Sequence, residues 1–428
     1  MEGLIHIKSG IEMAKNIIVE GGFLIDGTGK SPIEGAVVVI EGSMIKSVGK
    51  EGEVQIPEGA EVVNAVGKTI MPGMIDAHVH LASVVGVDPD AATAILRTPP
   101  HMLVLHAAKN AREMIEAGFT TVRDMGGLMI HSEIVSLRDA IELGLVPGPR
   151  IVAAGWVEMT AGHGDIMNNW FPTWPRKPRD PFCADGPWEI RKRIREFARE
   201  RVDLIKTASS GDPPYTSRSY TLEELRTLVD EAHALGMKVA CHSESTDGNK
   251  HALKAGVDTI EHGVGLDDEA IQMMIKMGTI LVPTLSIYSR PSSALVCGHI
   301  WPPPEELSEI RSSAIENFRK AHQSGVKIAM GTDTYRIIRD HWGQNAYELG
   351  LMVDGGMSEM EAIVATTRTA AKALGLENKI GTIENGKLAD IIIVDGNPLK
   401  NIKILQDKEK IQLVIKNGNI AVDRVNKD

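Results

Sequence analysis

Thr69-Ile70-Met71-Pro72-Gly73-Met74-Ile75-Asp76-Ala77-His78-Val79-His80 opens as an apolar run and ends in His-x-His. In a strand, alternate side chains face the same way, so His78 and His80 point together to one side. Two imidazoles on one face can grip one metal ion. The plain alternative is a pair of surface histidines at a strand end. What decides between them is whether further ligands end further strands.

Downstream, strands and helices alternate. A helix is predicted over about 102–117, with Leu103, Ala107, Ala111, Met114 and Ile115 at helical spacing and Gly118 as its stop. Short apolar strands are expected at 119–124, 150–154, 202–206, 238–242, 259–262, 279–284 and 326–333. Helices over 222–235 and 304–323 separate some of them. With the first strand that makes eight, the pattern of a (β/α)8 TIM barrel; a doubly wound open sheet is the main alternative. In a barrel the C-terminal strand ends converge on one mouth. The residues placed there are His78, His80, Lys206, His242, His262 and Asp333. Each has a bland reading: a surface lysine, core histidines, an aspartate capping a helix. The chain has 14 histidines, so some fall on strand ends by chance, but four of them with an aspartate and a lysine point to one pocket.

Both ends of the chain read as all-β. A strand–turn–strand is expected over 16–26 and strands at 35–42, 389–396 and 411–418, closing in Asp-Gly or Asn-Gly turns. These predict a small β-sandwich formed by both termini, residues 1–68 with 385–428, around a barrel spanning 69–384. Gly381-Thr382-Ile383-Glu384-Asn385-Gly386-Lys387-Leu388 has the glycine and lysine spacing of a phosphate loop. It lacks the Ser or Thr after the lysine and leads into a strand, so it reads as a β-turn.

The 428 residues, 43% hydrophobic, suffice for a large core. A formal charge of -11 disfavours nucleic acid and anionic membrane as partners. Cys183, Cys241 and Cys297 form no CxxC pair, and no signal segment or membrane-length apolar run stands out. The expectation is a cytoplasmic protein acting on a small molecule, with no nucleic-acid or membrane partner; a homo-oligomer would be ordinary.

Pro72-Gly73-Met74-Ile75-Asp76-Ala77-His78-Val79-His80, Ile205-Lys206, His242, Ile260-Glu261-His262-Gly263 and Gly331-Thr332-Asp333 together resemble the amidohydrolase superfamily, in order and spacing along nearly the whole chain. The lysine at the fourth strand resembles the two-metal type. The resemblance implies two divalent ions, zinc by default and manganese, cobalt or iron nearly as suitable. His78, His80 and Asp333 would hold one ion, His242 and His262 the other, with a carboxylated Lys206 bridging them. It implies hydrolysis of a C–N bond by a metal-bridging hydroxide, with Asp333 moving the proton. No GxSxG elbow competes with a water nucleophile.

Within the superfamily, Glu158-Met159-Thr160-Ala161-Gly162-His163-Gly164-Asp165, Tyr220-Thr221-Leu222-Glu223-Glu224-Leu225 and the run from Ala255 to Gly263 are similar to the Xaa-Pro dipeptidase (prolidase-like) and arginine-carboxypeptidase-like group. That likeness implies substrate contacts at His163 and Tyr220; loop packing is the alternative for both. The chain departs from the group in an aromatic stretch with Trp170, Trp174 and Trp188, and in the loop 288–304 with Arg290, His299 and Trp301. These could line an apolar pocket or pack on the rim. The expected substrates are N-acyl amino acids or dipeptides such as Xaa-Pro. Alternatives are a bulkier amide, carbamate or urea, a one-metal deaminase or cyclic-amide hydrolase, a phosphotriester hydrolase, or a non-catalytic binding protein on the same scaffold.

Overall fold

The computed structural model describes residues 16–82, 98–126, 132–159, 183–211, 219–289, 295–296, 299–300, 304–334 and 342–425. The chain starts with β1 (Asn16–Leu24), β2 (Ile33–Glu41), β3 (Met44–Lys50), β4 (Glu61–Asn64) and β5 (Thr69–Pro72). β1 is a single strand where strand–turn–strand was expected. Gly21, at φ 79°, sits at a register shift against β2, so the chain bulges without reversing.

The stretch 69–80 is likewise two strands rather than one. β5 pairs with β1, and β6 (Met74–Val79) starts the barrel. Gly73 lies between them. A Cβ there would stand 2.2 Å from the Thr120 hydroxyl oxygen, so only glycine lets β6 start this close to the next strand.

The barrel continues through β7 (Phe119–Asp124), β8 (Arg150–Trp156), β9 (Leu204–Ala208), β10 (Lys238–Ser243), β11 (Thr259–His262) and β12 (Ile280–Val282). β6 to β12 form one parallel seven-stranded sheet in sequence order. Helices such as Pro100–Glu116, Leu222–Ala234, Thr246–Ala255 and Asp268–Met277 run between them and carry the outer layer. Glycines in left-handed conformation, Gly256 and Gly278, stop the last two.

The eighth strand, expected at 326–333, makes no ladder among the described residues. It closes the barrel through isolated parallel bridges, Leu281 with Ile328 and Val79 with Thr334. Ala77 N donates to Met330 O at 2.9 Å, and Asp333 N to His78 O at 2.8 Å. The left-handed Asp333, at φ 52°, takes the segment out of regular strand geometry.

A short ribbon, β13 (Leu295–Val296) and β14 (His299–Ile300), follows, and then β15 (Ile391–Val394), β16 (Ile411–Lys416) and β17 (Asn419–Asp423). The last three rejoin the N-terminal strands in one eight-stranded mixed sheet, ordered β17-β16-β15-β5-β1-β2-β3 with β4 on β1. Its core is aliphatic: Ile17, Val19, Ile40, Ile70, Ile391 and Leu413. Arg150, the first residue of β8, ties this sheet to the barrel by donating to Asp390 Oδ2 at 2.5 Å. The segment 381–388 is a turn, and its Lys387 ammonium is occupied by the Thr382 hydroxyl.

Inside the barrel, Ile75, Ala77, Ala154, Leu204, Ala240, Val282 and Ala329 fill the lower layers. Ile205, Val239, Cys241 and Ile260 face the opposite way, onto the helices. That alternation leaves the polar side chains collected at the strand C-termini. Of the aromatic stretch after β8, Trp170 and Trp174 lie outside the described residues, as do Arg290 and Trp301 of the later loop. Trp188 is 82% exposed, with the Arg191 guanidinium 5.8 Å from its ring centroid.

Candidate metal centre

The structure brings the predicted ligands together, though not by simple alternation. His78 is next to last in β6, and His80 lies one residue past it. The β6–β7 ladder shifts register between Asp76 and Val79, and such a bulge re-aims side chains. The two rings stand 5.4 Å apart, edge to face. In β11, Thr259 and Glu261 reach across the barrel to Arg123 of β7, so both point inward. Alternation would send His262 outward onto the helices. Its left-handed backbone, φ 70°, swings it to the mouth instead. There its ring lies 5.2 Å from His78 and 4.6 Å from His242.

Thr284 and Asp333, which follow β12 and the closing stretch, are left-handed as well. Three non-glycine residues in this strained region, at the ends of three successive barrel segments, mark the mouth as a functional site. Lys206 departs from expectation: β9 runs on to Ala208, so the lysine sits in mid-strand, one layer below the mouth.

Asp333 is the focus. Its Oδ1 lies 3.1 Å from His80 Nε2 and 3.5 Å from His78 Nε2. No hydroxyl or amide among the described residues donates to that buried oxygen. One ligand atom each from His78, His262 and Asp333 falls within 4.8 Å of the others. The outer nitrogens are already engaged. His78 Nδ1 donates to Glu261 Oε2 at 2.7 Å, because a carboxylate can only accept. His80 Nδ1 donates to Gly126 O, and His262 Nδ1 pairs with the Thr284 hydroxyl at 2.7 Å. In all three rings Nε2 is left to face inward, the arrangement in which outer partners orient histidines toward a cation.

The charges agree. Burial, aided by Lys206, holds His78 well below the usual imidazole range, so it is neutral and its lone pair can bind a cation. Burial alone would raise the Asp333 carboxyl, but the facing imidazoles, above all the His80 ring hydrogen-bonded to it, hold it below the ordinary carboxylate range. Burial pushes the Lys206 amine down, against the charges of Glu261 and Asp333. Burial would lower His80 too, but its bond to Asp333 and that carboxylate's charge raise it. Imidazoles, a carboxylate and an amine biased toward its neutral form are a mixed N/O donor set that fits divalent cations.

Residues not singled out from the sequence hold these ligands. Arg123 is 1% exposed, and it donates to Glu261 Oε1 at 2.8 Å and to Ala77 O at 2.5 Å. Asp76 Oδ1 accepts from the backbone N–H of His78 and of Thr332, both at 3.1 Å. Asp76 Oδ2 accepts from the Thr332 hydroxyl at 2.7 Å and from Asn345 at 2.8 Å, which fastens the first barrel segment to the last. Burial pushes the Asp76 carboxyl up to about 6. Asp76 and Glu261 lay inside quoted motifs. A charged Arg123-Asp124 pair ending an apolar strand was the available signal for Arg123.

Tyr220 is fully buried, and its hydroxyl donates to Ala184 O at 2.7 Å. His163 lies outside the described residues. The Tyr288 ring stands edge-on to His262 at 6.5 Å, and its hydroxyl donates to the buried Glu244.

The amidohydrolase family model matches residues 69–421. The chain is 30% identical to ochratoxinase from Aspergillus niger, over 95% of this chain and 87% of that one. A solved Xaa-Pro dipeptidase with methionine bound in its active site superposes with a TM-score of 0.85, at 34% identity over 95% of this chain and 99% of the other. Phenylurea hydrolase B superposes with a TM-score of 0.80, at 25% identity over 96% and 97%.

Proposed function

The chain belongs to the amidohydrolase family, and on that premise we propose that it is a two-metal hydrolase of C–N bonds acting on N-acyl amino acids or dipeptides such as Xaa-Pro. The observation that carries this reading is the Asp333 carboxylate, set between the Nε2 atoms of His78 and His80 with His262 and His242 alongside.

His78, His80 and Asp333 would hold one ion, and His242 and His262 the other. Lys206, carboxylated by carbon dioxide, would lie between them. Its buried amine is biased toward the neutral form that such an addition needs. Bound divalent ions would supply Lewis acidity, which can bring the pKa of a water to about 7 and polarise a carbonyl. Asp333 would take the proton from the attacking water and deliver it to the departing nitrogen. His163 and Tyr220 are the proposed substrate contacts; Tyr220 would exchange its Ala184 acceptor for a substrate oxygen.

Likeness to ochratoxinase and phenylurea hydrolase B, with the tryptophan-rich stretch 168–188, supports a second reading, a bulkier amide or urea substrate.

The test is metal content per chain on protein grown with zinc or manganese, joined to a screen of Xaa-Pro dipeptides, N-acyl amino acids and arylureas. About two ions with dipeptide or N-acyl hydrolysis is the expected result. Two ions with turnover of ureas alone would move the substrate to the second reading. One ion or none sinks the two-metal assignment.

A further inference from the structure

A further carboxyl is buried against the turn that follows β12. Glu348, on the helix Tyr347–Asp354, has no exposed surface. It accepts from two successive backbone amides, Leu285 N on Oε1 and Ser286 N on Oε2, each at 2.7 Å. Those amides open the short helix Leu285–Ser289 that follows β12. One residue earlier stands Thr284, left-handed at φ 47°, with its hydroxyl on His262 Nδ1. One bond away, the Ser286 hydroxyl donates to Thr332 O at 2.8 Å, next to Asp333. A single side chain therefore grips the turn that touches both His262 and the Asp333 segment.

We propose that Glu348 is a positioning residue: by clamping the turn 284–286 it fixes the tautomer and aim of His262 and the backbone ahead of Asp333. The proposal rests on the metal-centre reading above. The physical reason is that a strained, left-handed Thr284 would relax without an external restraint. Two hydrogen bonds from adjacent N–H groups supply one, and the carboxyl that accepts them is fully buried. Asp76, another buried carboxyl, accepts from the N–H and hydroxyl of Thr332, whereas Glu348 accepts from the turn at 285–286, so the two hold different stretches of chain.

The test uses Glu348→Gln, Thr284→Val and the double variant. An amide can accept one of the two N–H groups but meets the other donor to donor. The first readout is zinc affinity by chelator competition. The second needs no metal: the His262 ring signals in metal-free protein with 15N-labelled histidine, assigned with His262→Asn. Glu348→Gln and Thr284→Val should each weaken zinc binding by roughly 10–100-fold, and the double variant should lose no more than the worse single one. Both should also replace one fixed His262 tautomer with a mixture. Wild-type affinity and tautomer in Glu348→Gln would overturn the proposal, and so would fully additive losses. A wild-type chain that binds no metal, with the tautomer still lost in Glu348→Gln, would keep the positioning role and sink the metal reading. Should Glu348→Gln not fold, Glu348→Asp, one methylene too short to reach both amides, must show the same two effects or the proposal fails.

Discussion

Replacing Glu261 with glutamine asks how much of the centre depends on what lies behind it. The carboxylate sits between Arg123 Nη2 at 2.8 Å and His78 Nδ1 at 2.7 Å, with the Thr259 hydroxyl as a third donor. Glutamine keeps the shape but removes the charge and one acceptor. Arg123 cannot turn to water, being 1% exposed and bonded to Ala77 O. A buried ion that loses its partner costs about 3–5 kcal/mol, or roughly 10²–10⁴ in the ratio of folded to unfolded chain. The His78 bond breaks in the same event, so its contribution is already inside that figure. Metal affinity should fall by about 10–100-fold as His78 loses its orienting acceptor. Urea unfolding of metal-free wild type and variant gives the first quantity, and chelator competition gives the second. Adding Arg123→Met should make the Glu261→Gln step cheaper, because no unpaired charge then remains. A stability loss below about 0.5 kcal/mol together with unchanged metal affinity would refute the chain of dependence from Arg123 through Glu261 to His78.

Other outcomes follow from the same contacts. Lys206→Ala should lose most bound divalent metal and most turnover; full metal content by elemental analysis would contradict the bridging role. Tyr220→Phe should change kcat or KM with metal content intact, and unchanged kinetics would leave Tyr220 as a packing residue that anchors Ala184. Gly73→Ala should destabilise the chain by about 1–3 kcal/mol in urea unfolding, since its new methyl meets a buried Thr120 side chain; equal midpoints would contradict the close approach of β6 to β7. Asp258 accepts from Val239 N, His233 and Lys238, and these outweigh burial to hold its carboxyl below its ordinary value of 3.8. A folded-state pKa below the unfolded one adds stability that is present above the unfolded value and is lost as pH falls through the folded one. Wild type should therefore exceed Asp258→Asn at pH 7, with the gap closing as pH drops below 3.8; a gap constant down to pH 2 would contradict this.

The sequence by itself determined the repeat of strand and helix, the β character of both termini and the residues proposed as ligands. Apolar periodicity is a local property, and so is the placing of His78, His242 and His262 at or near strand ends. It did not determine how those strands end. The break at Gly73 depends on Thr120, a residue of the neighbouring strand. The inward turn of His262 runs against its own alternation, and what holds it is Thr284, 22 positions away. The irregular closing stretch before Asp333 and the mid-strand place of Lys206 depend on register between strands. Arg123, Glu261, Asp76 and Glu348 read as ordinary charged residues until the barrel closes and removes water from around them. Burial then makes each unpaired charge costly, and the partners that satisfy it come from distant strands and helices. Local pattern selects which residues reach the mouth; the closed barrel sets the angle at which they meet.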